Sequence, residues 1–440
     1  MRKNTKKHAR KPVYAPDGIL KSICTNKEMR KATLFTLLFL LIYRIGCAIP
    51  TPGTYTGKLV QELSNNSMLA MMSMIGGGSL SNFSIFALGV TPYITASIIV
   101  QMLSMDVIPA LTEMSKNGEK GRIKLNRVTK WVGIVLAVLQ SLAMVRVFDL
   151  NYGLLVTSNW KYYVYIIAIQ TAGYSSTVWL ADSITRHGIT NGMSLIIAFG
   201  IITNIPSTMM NAYTSFISGT EGSALALGCV RMAVFILVYL LIVISVIFME
   251  TSERRIHMRY ANQSYMQFPS SSYLPIKVNP SNVIPVIFAQ SFINIAMLIA
   301  SAVSKTAYQE VQNYLSFDKW YGLLIYAGLI LLFSFGYTYI ELDPEEMADN
   351  LSKSGAYIPS VRPGKDTETY IYKVSMRVNV AGAIGLTLLA LLPYVLTMLT
   401  DLSVASAIGG TGIIIVVGVA METVRGLRTA AMPAKKPILW

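Results

Sequence analysis

Apolar residues run along the chain in about ten long blocks set apart by short polar stretches. The blocks cover approximately Ala32 to Ile49, Ser84 to Ser104, Val128 to Val147, Tyr162 to Ala181, Ile189 to Met210, Leu225 to Met249, Val283 to Val303, Tyr321 to Ile340, Val374 to Met398 and Val404 to Val424. Each is close to the roughly 20 residues that a helix needs to cross a hydrocarbon core about 30 Å thick. None alternates in the manner of a barrel strand, and lipid offers the backbone no hydrogen-bond partners, so each block is expected to be a helix. The pattern predicts an all-α integral membrane protein of about ten transmembrane helices.

One apolar stretch is too short to cross. Met68 to Ile75, which includes Met71 and Met72, ends in Gly76-Gly77-Gly78 and then polar Ser79, Ser81 and Asn82. It reads either as a half-helix on a glycine hinge lining a cavity, or as an external loop lying on the surface. No Gly-Lys-Ser/Thr follows the glycines, so they are not a nucleotide loop.

Composition agrees with a membrane bundle: 53% of the residues are hydrophobic and only 13% charged, where a soluble domain has roughly a quarter charged. The formal charge of +15 has no nucleic-acid domain to hold it, because the basic residues fall between the apolar blocks. With the N-terminus placed in the cytosol, about 29 of the 37 lysines and arginines fall on the cytosolic side. Lys58, Arg146, Lys161, Lys305 and Lys319 fall outside, and Arg44, Arg231 and Arg377 lie within helices or at their ends. The asymmetry puts both termini in the cytosol. The first block ends in Ile49-Pro50-Thr51-Pro52-Gly53 rather than a small-residue cleavage site, so it is expected to be retained.

The chain divides into a basic segment 1–31, an N-terminal half 32–211 with the short segment at 68–82, a C-terminal half 212–425 with long loops at 250–282 and 341–373, and a tail 426–440. Five spans per half is an odd number, so the halves run in opposite senses and an inverted repeat is expected from counting. No residue-level match between them stands out. Cys24, Cys47 and Cys229, like His8, His187 and His257, are scattered, so neither disulfides nor a metal or other cofactor is expected. No nucleophile with its base and no nucleotide motif is present, which argues against an enzyme and requires that energy come from a partner or a proton gradient.

Several uncommon runs occur in order. They are Tyr43-Arg44-Ile45-Gly46, Gly77 to Gln101, Gly118-Glu119-Lys120-Gly121-Arg122, Ile184 to Ser194, Leu274 to Asn279, Val283 to Ala289, Ala348 to Leu351, Ile358 to Gly364, and Gly409-Gly410-Thr411. From about residue 30 to 425 the chain resembles the SecY/Sec61-alpha family of protein-translocon channels. The resemblance implies two inverted five-helix halves around an hourglass pore, closed by a plug half-helix at 68–82 that includes Met68, Met71, Met72, Ile75, Gly76, Gly77 and Gly78. It implies a constriction of Val90, Ile94, Met193, Ile197, Ile287 and Ile415, with Met193 where the family prefers isoleucine. Val90 and Ile94 are four residues apart, as are Met193 and Ile197, so each pair presents one helix face. An apolar ring excludes ions by dewetting, yet offers no hydrogen bonds to hold a passing chain of arbitrary sequence.

The resemblance further implies a lateral gate between the blocks at Ser84–Ser104 and Val283–Val303, with Thr95, Gln101, Gln290 and Asn294 near the seam. From the residues alone, these are equally readable as hydrogen-bonding glue between helices. Arg362 matches the arginine that couples the family to its motor ATPase SecA. Arg254, Arg255 and Arg259 match basic positions that meet the motor or the ribosome. The implied partners are SecE-like and SecG-like small membrane subunits, a SecA-like motor, ribosomes, unfolded preproteins and signal peptides, and the bilayer of the bacterial cytoplasmic membrane. The loop 250–282 departs from the family: His257 replaces a proline, and Asn262 to Ser272 carry no lysine or arginine. That departure leaves open an accessory translocon of narrow substrate range. A solute transporter with inverted repeats is a further alternative, but apart from Arg44 and Arg231 the spans carry almost no ionisable residue to bind substrate or ion.

Overall fold

The computed structural model describes residues 27–55, 79–80, 82–104, 108–116, 118–153, 155, 159–217, 223–260, 272–317, 319–341, 344–400 and 410–431. Each apolar block contains one helix: α1 (Lys27–Ala48), α2 (Thr91–Leu103), α4 (Gly118–Tyr152), α5 (Trp160–His187), α6 (Gly192–Phe216), α7 (Ser223–Thr251), α8 (Ile284–Val303), α10 (Trp320–Glu341), α12 (Lys365–Thr400) and α13 (Gly410–Ala431). Between them lie the shorter α3 (Pro109–Lys116), α9 (Lys305–Leu315) and α11 (Pro344–Lys353).

Length and apolarity suffice to cross a membrane in 6 of these helices, α1, α4, α6, α7, α10 and α12, while α2 and Ile284–Met297 of α8 are apolar but shorter. Large side chains such as Leu34, Leu37 and Leu41 on α1 and Leu237, Ile244 and Phe248 on α7 lie exposed, as a lipid-facing surface requires. The middle of α5 is more polar, and its hydroxyls are satisfied within the helix. Thr171, Ser175, Ser176 and Thr177 each donate to the carbonyl four residues earlier, at 2.8–3.0 Å.

The second block is only partly helical. Residues 85–90 form successive turns and the helix begins at Thr91. Phe83 and Gly89 take positive φ, 41° and 52°, which a continuous helix cannot absorb. Backbone freed from a helix at this depth must bond elsewhere, and it does. Thr51 N donates to Phe83 O at 3.0 Å and Ile85 N to Ile49 O at 3.1 Å. The buried Gln170 amide on α5 reaches across to Ser84 O at 3.2 Å and Thr51 Oγ1 at 3.3 Å. Gly173, one turn further along α5, lies so close to this segment that an added Cβ would stand 2.0 Å from Ile85 O.

Helices α1, α2, α4, α5 and α6 pack on one another in one group, and α7, α8, α10, α12 and α13 in another. The groups meet along two seams: α8 against α2 and α4, and α6 against α7 and α13. One apolar core, including Tyr43, Phe86, Ile197, Phe235, Ile293, Tyr326 and Ile415, extends through both.

The two long loops of the second group are not independent. Strands β1 (Glu253–Tyr260), β2 (Ser272–Lys277) and β3 (Ala356–Tyr357) form an antiparallel sheet of order β2-β1-β3. The first loop supplies β1 and β2, and the second supplies β3 through the pairs Arg259 with Tyr357 and Tyr260 with Ala356. Alternation along β1 turns Ile256 and Met258 inward, where Ile276, Leu351, Ala356, Ile358 and Ile371 close a small separate core. This sheet adds to the helical bundle an element that the hydropathy pattern does not announce.

Candidate functional site

The expected constriction residues come from four helices, each in the opening turns of its own. Val90 is the N-cap of α2 and Ile94 lies in its first turn; Met193 and Ile197 open α6, Ile287 opens α8 and Ile415 opens α13. Helices α2 and α8 start in nearly the same way. Val90 has φ −98°, ψ 1° and Val283 has φ −92°, ψ −4°; neither helix has a side-chain cap, and both have proline in the first two positions. The sequences match too, as Val90-Thr91-Pro92-Tyr93-Ile94 and Val283-Ile284-Pro285-Val286-Ile287. Proline fits this position because its missing N–H is an orphan donor there in any case. The same start, used once in each group, presents one isoleucine per helix to a common centre.

Ile94, Ile197, Ile287 and Ile415 line one small cavity together with Val286, Gln290 and Thr411. The free space among them is about 10 Å³, at the limit for one water molecule. Val90 and Met193 are not on its wall but belong to the same apolar cluster. Val90, Ile197 and Ile415 are 1%, 5% and 2% exposed, so in this state the centre is closed by packing and not merely narrow. Val286 and Thr411 were not among the expected ring residues. Thr411 lies four residues before Ile415, on the same helix face, and that spacing was legible in the sequence.

Of the four polar residues expected at the seam, Thr95 and Gln290 are buried and Gln101 and Asn294 half-buried. Thr95 and Gln101 belong to α2, Gln290 and Asn294 to α8, and these two helices pack directly on one another. Gln101 Nε2 reaches Ser97 Oγ at 3.5 Å. The Thr95 hydroxyl, both amide atoms of Gln290, Gln101 Oε1 and Asn294 Oδ1 have no hydrogen-bond partner among the described residues. Unsatisfied buried polar atoms cost about 1–3 kcal/mol each. The seam is therefore closed but, among the described residues, not well bonded.

At its loop-bearing end, α8 is fixed by a buried polar joint. Asn279 Nδ2 donates to Glu250 Oε1 at 3.1 Å, Ser281 Oγ to Asn279 Oδ1 at 3.2 Å, and Arg425 on α13 to Glu250 O at 2.9 Å. Val278 N donates to Ser252 O at 3.0 Å, so the strand pair β1–β2 runs straight into the joint.

Arg254, Arg255 and Arg259 are exposed on β1. Arg255 donates to Glu253 Oε1 at 2.7 Å and lies 4.8 Å over the Tyr273 ring, and the Glu253 hydrogen bond raises its pKa further. Arg362 is exposed in the turn before α12, where its carbonyl accepts from Thr367 Oγ1 at 2.8 Å. The β1–β3 pairing brings the Arg362 loop onto the same sheet as the three β1 arginines. Met68, Met71, Met72, Ile75, Gly76, Gly77 and Gly78 lie outside the described residues, as does the tip 261–271.

A family model described as SecY matches residues 84–424. Protein translocase subunit SecY of Mycoplasma capricolum subsp. capricolum is 39% identical over 422 residues, covering 92% of this chain and 87% of that protein. Among solved structures, one described as the structure of a protein conducting channel superposes with a TM-score of 0.64 at 17% identity, covering 93% of this chain and 95% of its own. Sec61 in the canine ribosome-channel complex from the endoplasmic reticulum gives 0.62 at 17% identity, with the same coverage of 93% and 95%.

Proposed function

The chain belongs to the SecY family, and we propose that it is the pore-forming subunit of a Sec translocon. It passes unfolded secretory polypeptides across the bacterial cell membrane and releases apolar segments sideways into lipid. The observation that carries this reading is the closure of one small apolar space by isoleucines from α2, α6, α8 and α13. Those helices lie on both sides of a seam at which several buried polar atoms have no hydrogen-bond partner among the described residues.

In this reading Val90, Ile94, Met193, Ile197, Ile287 and Ile415 form the constriction, and Thr95, Gln101, Gln290 and Asn294 line the lateral gate between α2 and α8. Residues 68–78 supply the plug. The sheet-bearing face is cytosolic, as are both termini, in keeping with the excess of lysine and arginine on that side. Arg362, with Arg254, Arg255 and Arg259 beside it, meets a SecA-like motor or a ribosome, and SecE-like and SecG-like subunits complete the complex. The channel itself performs no chemistry; the partner or the proton gradient drives transport.

The test is depletion in the host, followed by pulse-labelling of several unrelated signal-peptide precursors, with rescue by the parent or by an Arg362→Glu copy. General precursor accumulation, relieved by the parent and not by Arg362→Glu, is the expected result. A defect confined to one or two precursors assigns an accessory channel, and normal export of all of them overturns the reading.

A further inference from the structure

The constriction leaves room for about one water, yet an extended polypeptide with side chains must pass, so its walls need somewhere to go. Packed protein interiors have little compressibility and few voids that would let a wall retreat. Behind this ring there is such a void. A second cavity, of about 180 Å³, lies between α6, α7 and α13, lined among others by Ile201, Ile205 and Met209, by Tyr239 and Val243, and by Val416. Ile201 follows the ring residue Ile197 by one helical turn, and Val416 follows the ring residue Ile415 directly. Neither α2 nor α8, which carry Ile94 and Ile287, reaches this cavity.

Helix α6 is also weakened beside the void. Pro206 lies inside it and cannot donate to the carbonyl of Ile202. On either side, Thr203 Oγ1 donates to Gly200 O at 2.8 Å, and Ser207 and Thr208 hydroxyls both donate to Asn204 O, at 2.8 and 3.0 Å. Hydroxyls that bond back to their own helix in this way, next to a proline, favour bending.

We propose that the ring widens on one side, by the part of α6 that carries Ile197 swinging about Pro206 into the cavity between α6, α7 and α13. Tyr239 and Val243, which lie on α7 and do not line the central space, then set how wide the bore becomes. Because neither α2 nor α8 lines that cavity, this widening is carried by α6 and not by the α2–α8 seam. This inference rests on the constriction reading above and adds to it residues that determine the size of substrate tolerated.

The experiment uses membrane vesicles carrying the whole complex with its motor, and one precursor with a single engineered disulfide. Oxidised, the precursor presents a doubled chain; reduced, a single one. Val243→Phe fills the cavity and should slow the oxidised form by about threefold or more while the reduced form passes at the parental rate. Val243→Ala should speed the oxidised form. If Val243→Phe does not reach the membrane at parental levels, Val243→Leu carries the same test with a smaller addition. Oxidised passage at the parental rate through the filled cavity, with Ile197→Gly leaking ions at rest, overturns this inference and leaves the constriction intact. An Ile197→Gly channel that neither leaks nor passes the oxidised form faster overturns the constriction reading, and this inference with it.

Discussion

Gly173→Ala puts a methyl group between α5 and the turns that lead into α2. The added Cβ would meet Ile85 O at 2.0 Å, whereas an ordinary carbon–oxygen contact needs about 3.3 Å. The segment must retreat by the difference, 3.3 − 2.0, or about 1.3 Å. Overpacking of this kind costs about 1–3 kcal/mol. The retreat also stretches the Ile85 N to Ile49 O bond of 3.1 Å, worth about 1 kcal/mol, so the variant should lose roughly 2–4 kcal/mol. The displacement does not stop at Ile85. Ala87 N to Ser84 O at 2.9 Å and Gly89 N to Phe86 O at 2.8 Å link the turns to Val90, the N-cap of the helix that carries Ile94. Two assays read the outcome: thermal unfolding of the purified complex in detergent, and halide-driven swelling of vesicles that contain the resting channel. A drop of several degrees together with a raised resting leak is expected. Unchanged unfolding refutes the close approach of α5 to Ile85. Lower stability with the parental leak refutes the mechanical link from that segment to the constriction.

Three further outcomes follow from other parts of the molecule. Ile94→Asn places an amide on the wall of the central space and should raise resting ion conductance in planar bilayers; parental conductance would remove Ile94 from the seal. Ile256→Asp buries a charge in the core of the three-stranded sheet at a cost of roughly 3 kcal/mol, and limited proteolysis should cut both loops, 250–282 and 341–373, while the helical bundle stays resistant. Glu250→Leu leaves the Asn279 amide without the acceptor it holds at 3.1 Å and should cost about 1–3 kcal/mol in detergent unfolding. The double variant with Asn279→Leu should lose less than the sum of the two single variants.

The bundle was legible because lipid imposes a length and a polarity that local sequence must meet, and all the apolar blocks contain a helix. The second block shows where that rule ends. Apolarity marks Ser84 to Val90 as buried, but the turns there depend on Ile49, Thr51 and Gln170, which no local window contains. The sheet escaped for the same reason. Ile256 and Met258 alternate with charged neighbours in a strand pattern, yet β3 is only the pair Ala356–Tyr357, and its partner lies about a hundred residues away in the chain. Gly173 sits in an otherwise ordinary helix, and its necessity appears only once Ile85 is beside it. The repeated start of α2 and α8, by contrast, was written out in Val-x-Pro-x-Ile at both places. It was hard to notice because three shared residues in a five-residue stretch carry little weight until the backbone angles agree.

The pairing of β1 with β3 has a bearing on how this molecule can be rebuilt. Because one sheet draws its strands from both 250–282 and 341–373, neither loop is a self-contained part. A chimera that imports one of them from a relative breaks an antiparallel register and exposes Ile256 or Ala356 to water. Grafts should therefore succeed when both loops travel together and fail when either travels alone. By the same logic, a change in one loop should be best tolerated alongside a matching change in the other, since the two form a single structural module despite being split in the chain.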